Sequence, residues 1–110
     1  MTARRGEVWF LDFDPVMGHE QAGYRPALVL SSDLANAAGM ATVLPLASKP
    51  RPYKTRLSLV PPEGGVTVPS WVICERCRTV DTRRLKRRAG LVSAATMTKV
   101  SDVVRILLGL

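Results

Sequence analysis

Two cysteines, one histidine and a surplus of arginine are the residues of this 110-residue chain whose types could do chemistry. Cys74 and Cys77 form Cys-x-x-Cys, the spacing of half a zinc site or of a redox dithiol. Zinc wants four ligands, and no second Cys or His pair stands at a suitable distance along the chain. A redox dithiol sits at a strand-to-helix turn, whereas residues 72–80 (VICERCRTV) read as one strand. At that separation on a strand the thiols face opposite sides, so reduced packing cysteines are expected. His19 stands alone, which rules out the two-histidine acid–base pair of many ribonucleases within one chain, and it reads as a loop residue. Asp12 and Asp14 share a strand face with no third carboxylate nearby, so no metal set is expected. Gly64-Gly65 lacks the Gly-Lys-Ser/Thr ending of a phosphate loop.

What remains is arginine. A guanidinium keeps its proton, clamps a phosphate through two parallel hydrogen bonds and stabilises charge building on it. RNA brings its own nucleophile, the 2′-hydroxyl, so a metal-free site could work with orientation, an arginine and a hydroxyl donor. The charge distribution points the same way. The formal net charge is +7 and the isoelectric point near 10.3. Residues 1–48 hold three Arg against five acids, whereas residues 49–88 hold eleven Lys and Arg against three acids. Such a block inside a folded chain suits a polyanionic partner, although charge alone does not separate RNA from DNA or lipid.

The elements that would position these groups are short. Residues 7–13 are rich in strand formers, and residues 14–24 form a polar loop with two glycines. Residues 27–30 (ALVL) are a short, continuously apolar run, suited to a buried strand. Residues 33–39 suit one helical turn, residues 40–46 a third strand, and residues 49–53 (KPRPY) a basic loop. Thr55, Leu57 and Leu59 alternate along a fourth strand, Pro61 to Gly65 turn, and residues 66–80 carry at least one strand more. Residues 81–88 read as a short helical or turn connection. Ser93 can cap a final helix over about 94–108, with Met97, Val100, Val104 and Leu107 as its apolar stripe, for core or for dimer packing. The expected fold is mainly β, one domain over residues 1–110, a small bent barrel closed by a C-terminal helix. No apolar run reaches the roughly 18 residues of a membrane span, and no signal-peptide core follows Arg4-Arg5, so a cytoplasmic protein is expected.

Residues 5–15 (RGEVWFLDFDP) and 18–31 (GHEQAGYRPALVLS), then Val43-Leu-Pro45, Arg78-Thr-Val-Asp81 and Arg84-Leu85, resemble the MazF/PemK toxins of bacterial toxin–antitoxin pairs. The likeness covers nearly the whole chain, and its Gly-x-Glu-Gln-x-Gly-x-Arg-Pro string is highly specific. It implies an SH3-like barrel, a homodimer and a sequence-specific, metal-independent endoribonuclease acting on single-stranded RNA without a cofactor. Attack by the 2′-hydroxyl would leave a 2′,3′-cyclic phosphate and a 5′-hydroxyl. The family's catalytic arginine falls on Arg25, and Glu20 and Gln21 fall on the loop that shapes the site, either touching RNA or ordering the loop. The family's catalytic threonine falls on or beside Ser48, with Ala47 as the rival position. A serine keeps the hydroxyl and loses only the methyl. Arg76 stands where the family often has Gln, altering base preference or adding a phosphate contact.

Lys49, Arg51 and Arg76 are the expected RNA contacts, whereas the charge run from Arg83 to Arg88 is as well explained by solvation as by binding. Tyr53 or Trp71 could stack on a base, though Trp71 is more at home in a core. Arg25 would act as phosphate clamp or in proton transfer, and its basicity favours the clamp. The resemblance also implies a MazE-like antitoxin, whose acidic disordered segment would compete for the RNA groove. Operator DNA would be bound only through the antitoxin complex. Two rivals share the fold: a toxin that poisons DNA gyrase, a group lacking the Glu-Gln-x-Gly-x-Arg-Pro string, and an RNA-binding module that has lost catalysis.

Overall fold

The structure, a computed structural model, describes residues 2–13 and 24–110. His19, Glu20 and Gln21 lie outside the described residues. β1 (Glu7–Asp12) runs antiparallel to β2 (Tyr24–Val29), with Leu11 opposite Arg25. β3 (Met40–Ala47) follows a short helix α1 (Asp33–Ala37) and pairs with β2, Leu28 opposite Leu44. The other edge of β3 takes two partners in succession. β5 (Ser70–Ile73), itself paired with β4 (Arg56–Leu59), lies along residues 46 and 47, and β6 (Arg78–Asp81) lies along residues 40–43. β7 (Leu85–Leu91) completes the sheet on the outer edge of β1. No ladder joins β6 to β7 among the described residues, so the barrel is bent but its hydrogen bonding is open.

The central strands serve two cores. Period-two alternation sends Trp9 and Leu11, Ala27 and Val29, and Ala41 and Val43 into one core with Val80. Their neighbours Val8, Leu28, Leu44 and Leu46 enter a second core with Leu59, Val72 and Cys74. This two-sided burial is why ALVL is continuously apolar. The second core is sealed by α2 (Ala94–Leu108), which contributes Val100 and Val104, with Met97 packed alongside. Ser93 caps it as expected, its hydroxyl accepting from Thr96 N at 3.1 Å. The stripe is thus core at 97, 100 and 104, while Leu107 is exposed. No helix of the described residues is long and apolar enough to cross a membrane.

Two expectations are corrected. Residues 72–80 are not one strand: a 3₁₀ turn at Cys74–Arg76 separates β5 from β6. The chain advances from Val72 to Arg78 while β3, its partner, advances only from Leu46 to Val43, so three residues are looped out. The thiols therefore do not face opposite sides. Cys74 is buried in the second core and Cys77 packs against that same core, both as free thiols. Burial, then the charges of Glu75 and Cys77, pushes the Cys74 thiol up to about 11, which keeps it inert.

Residues 81–88 are not a mere connection either. Only Thr82–Arg84 form a turn, and β7 begins at Leu85. The open edge of β1 overrides the weak strand propensity of its charged residues. Arg87 lays its guanidinium 4.3 Å from the Phe10 ring centroid, and Arg88 Nε donates to the buried Glu7 Oε2 at 2.5 Å.

The turn at Glu63–Gly65 lies directly on the end of β7. A Cβ added to Gly65, which has φ +76°, would stand 2.0 Å from the Ala89 carbonyl oxygen, and one added to Gly90 would stand 2.5 Å from Gly65 N. Glu63 then ties this turn to α2, accepting from Ser93 N at 3.0 Å and Thr96 Oγ1 at 2.5 Å. Gly90→Ala should consequently destabilise the protein by about 1–3 kcal/mol, the usual cost of overpacking. Urea unfolding measures it, and a midpoint equal to wild type would show that the backbone contact yields freely.

Candidate functional site

At the end of β3 where it leaves both cores, an open cleft of about 590 Å³ is lined by Arg25 and Pro26 of β2 and by Leu46 and Ala47 of β3. Ser48, Lys49 and Arg51, on the loop that follows, form its rim, and Arg56 of β4 with Ile73 and Arg76 completes it. Arg25, Ser48, Lys49, Arg51 and Arg76 had been singled out on sequence, and they meet here although the chain separates them by up to 51 positions.

Each position has a structural cause. Arg25 sits opposite Leu11 in the β1–β2 ladder and precedes Pro26, so its backbone is extended. The side chain projects into solvent beside the dry wall of Pro26 and Leu46. Ser48 is exposed and lies one residue beyond the strand, whereas Ala47 is half-buried and pairs with Trp71. Arg76 reaches the cleft because the looped-out turn turns its residue 74 inward and its residue 76 outward.

Arg56 was not foreseen. It alternates with Leu57 along β4, and only the fold shows that this side of the strand faces the cleft. Its Nε and Nη2 each lie 2.8 Å from Glu75 Oε2, while Glu75 Oε1 accepts from Thr55 Oγ1 at 2.8 Å. Partial burial alone would raise the Glu75 carboxyl, but the bonds from Thr55 and Arg56 outweigh it and hold the group below its ordinary 4.5. Arg25, Lys49, Arg51 and Arg76 have no carboxylate partner among the described residues. Among the described residues five cations therefore converge on one cleft, and one acid offsets one of them. Such a site attracts a polyanion and repels a free cation.

Elsewhere the charge run is accounted for more simply. Arg83 donates through Nε and Nη2 to Asp81 at 3.0 and 2.9 Å, and those bonds hold the Asp81 carboxyl down at about 2. Trp71 is half-buried on β5, and Tyr53 is exposed beside Arg56. Among the described residues no group of three His, Cys, Asp or Glu is placed to hold a metal ion.

Comparison with known proteins adds to this geometry. The family described as "PemK-like, MazF-like toxin of type II toxin-antitoxin system" matches residues 4–108. "Endoribonuclease MazF9" of Mycobacterium tuberculosis is 37% identical over 116 residues, spanning 97% of this chain and 97% of that protein. "Endoribonuclease EndoA" of Bacillus subtilis is 32% identical over 113 residues, 100% of this chain and 97% of that one. Among solved structures, MazF (Form-I) from Deinococcus radiodurans superposes with a TM-score of 0.85 at 30% identity, covering 100% of this chain and 99% of that chain. The MazE-MazF complex (Form-II) from the same organism also gives 0.85, at 32% identity, with 100% and 98% covered.

The Arg56–Glu75 pair makes a prediction about pH. A carboxylate whose pKa is depressed on folding contributes stability above its unfolded pKa and loses it as pH falls through the folded value. Glu75→Gln should cost about 1 kcal/mol at neutral pH, a modest figure because solvent screens this partly exposed pair. Its difference from wild type should shrink as pH falls below about 4.5. Chemical denaturation at stepped pH measures it, and a gap that persists at acid pH contradicts the assignment.

Proposed function

Since the chain belongs to the PemK-like, MazF-like toxins of type II toxin–antitoxin systems, we propose that it is a growth-inhibiting endoribonuclease that cuts single-stranded messenger RNA at a preferred sequence. The observation that carries this reading is the cleft itself, where Arg25 and Ser48 stand among Lys49, Arg51, Arg56 and Arg76 at the exit of a rigid strand. The cationic lining supplies a phosphate track, and the guanidinium and hydroxyl supply what RNA lacks for self-cleavage.

In this mechanism the 2′-hydroxyl oxygen attacks phosphorus and forms the P–O2′ bond while the P–O5′ bond breaks. The hydroxyl proton passes to solvent water and the departing 5′-oxygen takes one from it, giving a 2′,3′-cyclic phosphate and a 5′-hydroxyl. Arg25 clamps the non-bridging oxygens, on which negative charge grows in the transition state. Ser48 donates its hydroxyl to one of those oxygens. Exposure of Ser48 supports it over Ala47, which has no donor and pairs within the sheet. Lys49, Arg51 and Arg76 hold flanking phosphates, and Glu20 and Gln21 shape the approach. The donor set of the described cleft is cationic and hydroxylic, which suits a reaction without a metal ion or cofactor.

The whole chain acts as one domain, in the cytoplasm, as a homodimer. Its cognate antitoxin is MazE-like and presents an acidic segment to the same cleft, and operator DNA is reached only through that complex. The MazE-MazF complexes among the structural relatives support this pairing.

Arg25→Ala should reduce cleavage of a long RNA by at least 10²-fold, the usual loss on removing one transition-state donor, with an unchanged circular dichroism spectrum. Wild-type activity should persist in chelator, with mapped products bearing 5′-hydroxyls. Near-normal cleavage by the folded variant sinks the clamp, and loss in chelator sinks the metal-free reaction. Tight RNA binding without any cutting would select a binding module, and gyrase-dependent DNA breaks would select a gyrase poison. Ser48→Ala should lower kcat by roughly 10- to 100-fold, as expected for one hydrogen bond worth about 1.5–3 kcal/mol at a charged group, while Ser48→Thr retains activity. Equal turnover by Ser48→Ala would return the role to a neighbour.

A further inference from the structure

Tyr53 does not itself line the cleft but packs on Arg56, which does; it stands on the loop that carries Lys49 and Arg51, and 54% of it is exposed. One face of its ring is already occupied, because the Arg56 guanidinium carbon stands 4.9 Å from the ring centroid. Arg56 is itself pinned by two 2.8 Å contacts to Glu75, and Glu75 by Thr55. The backbone closes a turn across the same residues, with Arg56 N donating to Tyr53 O at 3.2 Å. Exposed side chains on loops ordinarily change rotamer within nanoseconds. This ring instead rests on a cation held from behind, so the entropy of placing it is lost on folding rather than on binding.

The geometry points to the outward face of Tyr53 as a stacking platform for one nucleobase of the single-stranded RNA whose phosphates follow the cleft. The inference rests on the nuclease reading and extends it by naming a base subsite. A flat aromatic face accepts any base that is not already stacked in a duplex, which selects single strands. Its position at the cationic cleft suits a ligand with a phosphate backbone and free rings. A tyrosine that only shielded Arg56 from water would be replaceable by leucine, whereas a platform needs a ring.

Steady-state cleavage of an oligoribonucleotide spanning a mapped cut site separates the two. Tyr53→Ala and Tyr53→Leu should raise KM about 5- to 150-fold, the range for one lost base stack, with little change in kcat. Tyr53→Phe and Tyr53→Trp should behave as wild type. In an Arg25→Ala background, 2-aminopurine placed at successive positions of the oligonucleotide should be quenched on binding at one position, and Tyr53→Ala should abolish that quench. An unchanged KM with unchanged quenching overturns the platform and leaves the nuclease reading standing. If wild type cuts no RNA, the scan uses a mixed-sequence oligoribonucleotide: a Tyr53-dependent quench then supports the platform alone, and its absence overturns both.

Discussion

β3 has to serve two cores at once, and the functional region follows from how it manages this. Ala41 and Val43 point into one core, and Leu44 and Leu46 into the other, so the strand changes cores at its midpoint. Its partner on one edge changes from β6 to β5 at the midpoint, where the neighbouring chain spends three extra residues on a 3₁₀ turn. That excess anchors Cys74 inward and turns Glu75 and Arg76 outward. Polar chemistry is then confined to the place where β3 runs out of core, at Ala47 and Ser48. Arg25 arrives at the same mouth because β2 is held between β1 and β3. Strand ends packed on both sides have little freedom, which is the condition for positioning a reacting phosphate to within a fraction of an ångström.

The net charge acquires a location through the same geometry. Residues 1–48 are slightly acidic overall, yet Arg25 comes from that half and meets Lys49, Arg51, Arg56 and Arg76 from the basic half. Four pieces of chain contribute one cation or more, so no single segment announces the groove. Clustered cations oppose folding when the cleft holds no anion. The dry sheet behind them and the Arg56–Glu75 pair offset part of that cost. Other basic residues are used locally: Arg88 satisfies the buried Glu7, Arg83 satisfies Asp81, and Arg87 covers Phe10. Net charge alone would have counted all of them as ligand-binding.

How much of this was legible in the sequence depended on whether the signal was local. α2 was readable because Ser93 and the 97/100/104 spacing are contiguous signals. β1, β2 and β3 were readable because runs of β-formers end in turn residues. The 74–76 turn was not, since it arises from a mismatch in length with β3 rather than from Gly or Pro at that point. β7 was hidden for a related reason, its LKRRAGL being a strand only because β1 offers an edge. Gly64-Gly65 read as an ordinary turn, but Gly65 lies against the backbone of Ala89 and Gly90, some 25 residues away, and Gly64 against the Val8 and Val92 side chains. At the site, Arg25, Ser48, Lys49, Arg51 and Arg76 were nameable from the motif and the basic loop. Arg56 needed the fold, because its membership depends on which side of β4 faces the cleft.

The side chains of the cleft stand on two kinds of backbone. Lys49, Arg51 and Arg76 stand on loop and turn residues, and their charges act at a distance and weaken together as salt rises. Arg25 and Ser48 instead project from, or directly follow, the central strands β2 and β3, where salt has little effect on their placement. A cleft of this design can exchange its loop and turn residues without disturbing the strand ends. Arg76 shows the division clearly. It shares the cleft with Arg25, but its backbone belongs to the looped-out turn, where both pairings with β3 are interrupted. Substitution there alters what the groove touches while leaving the sheet, and therefore Arg25 and Ser48, where they are.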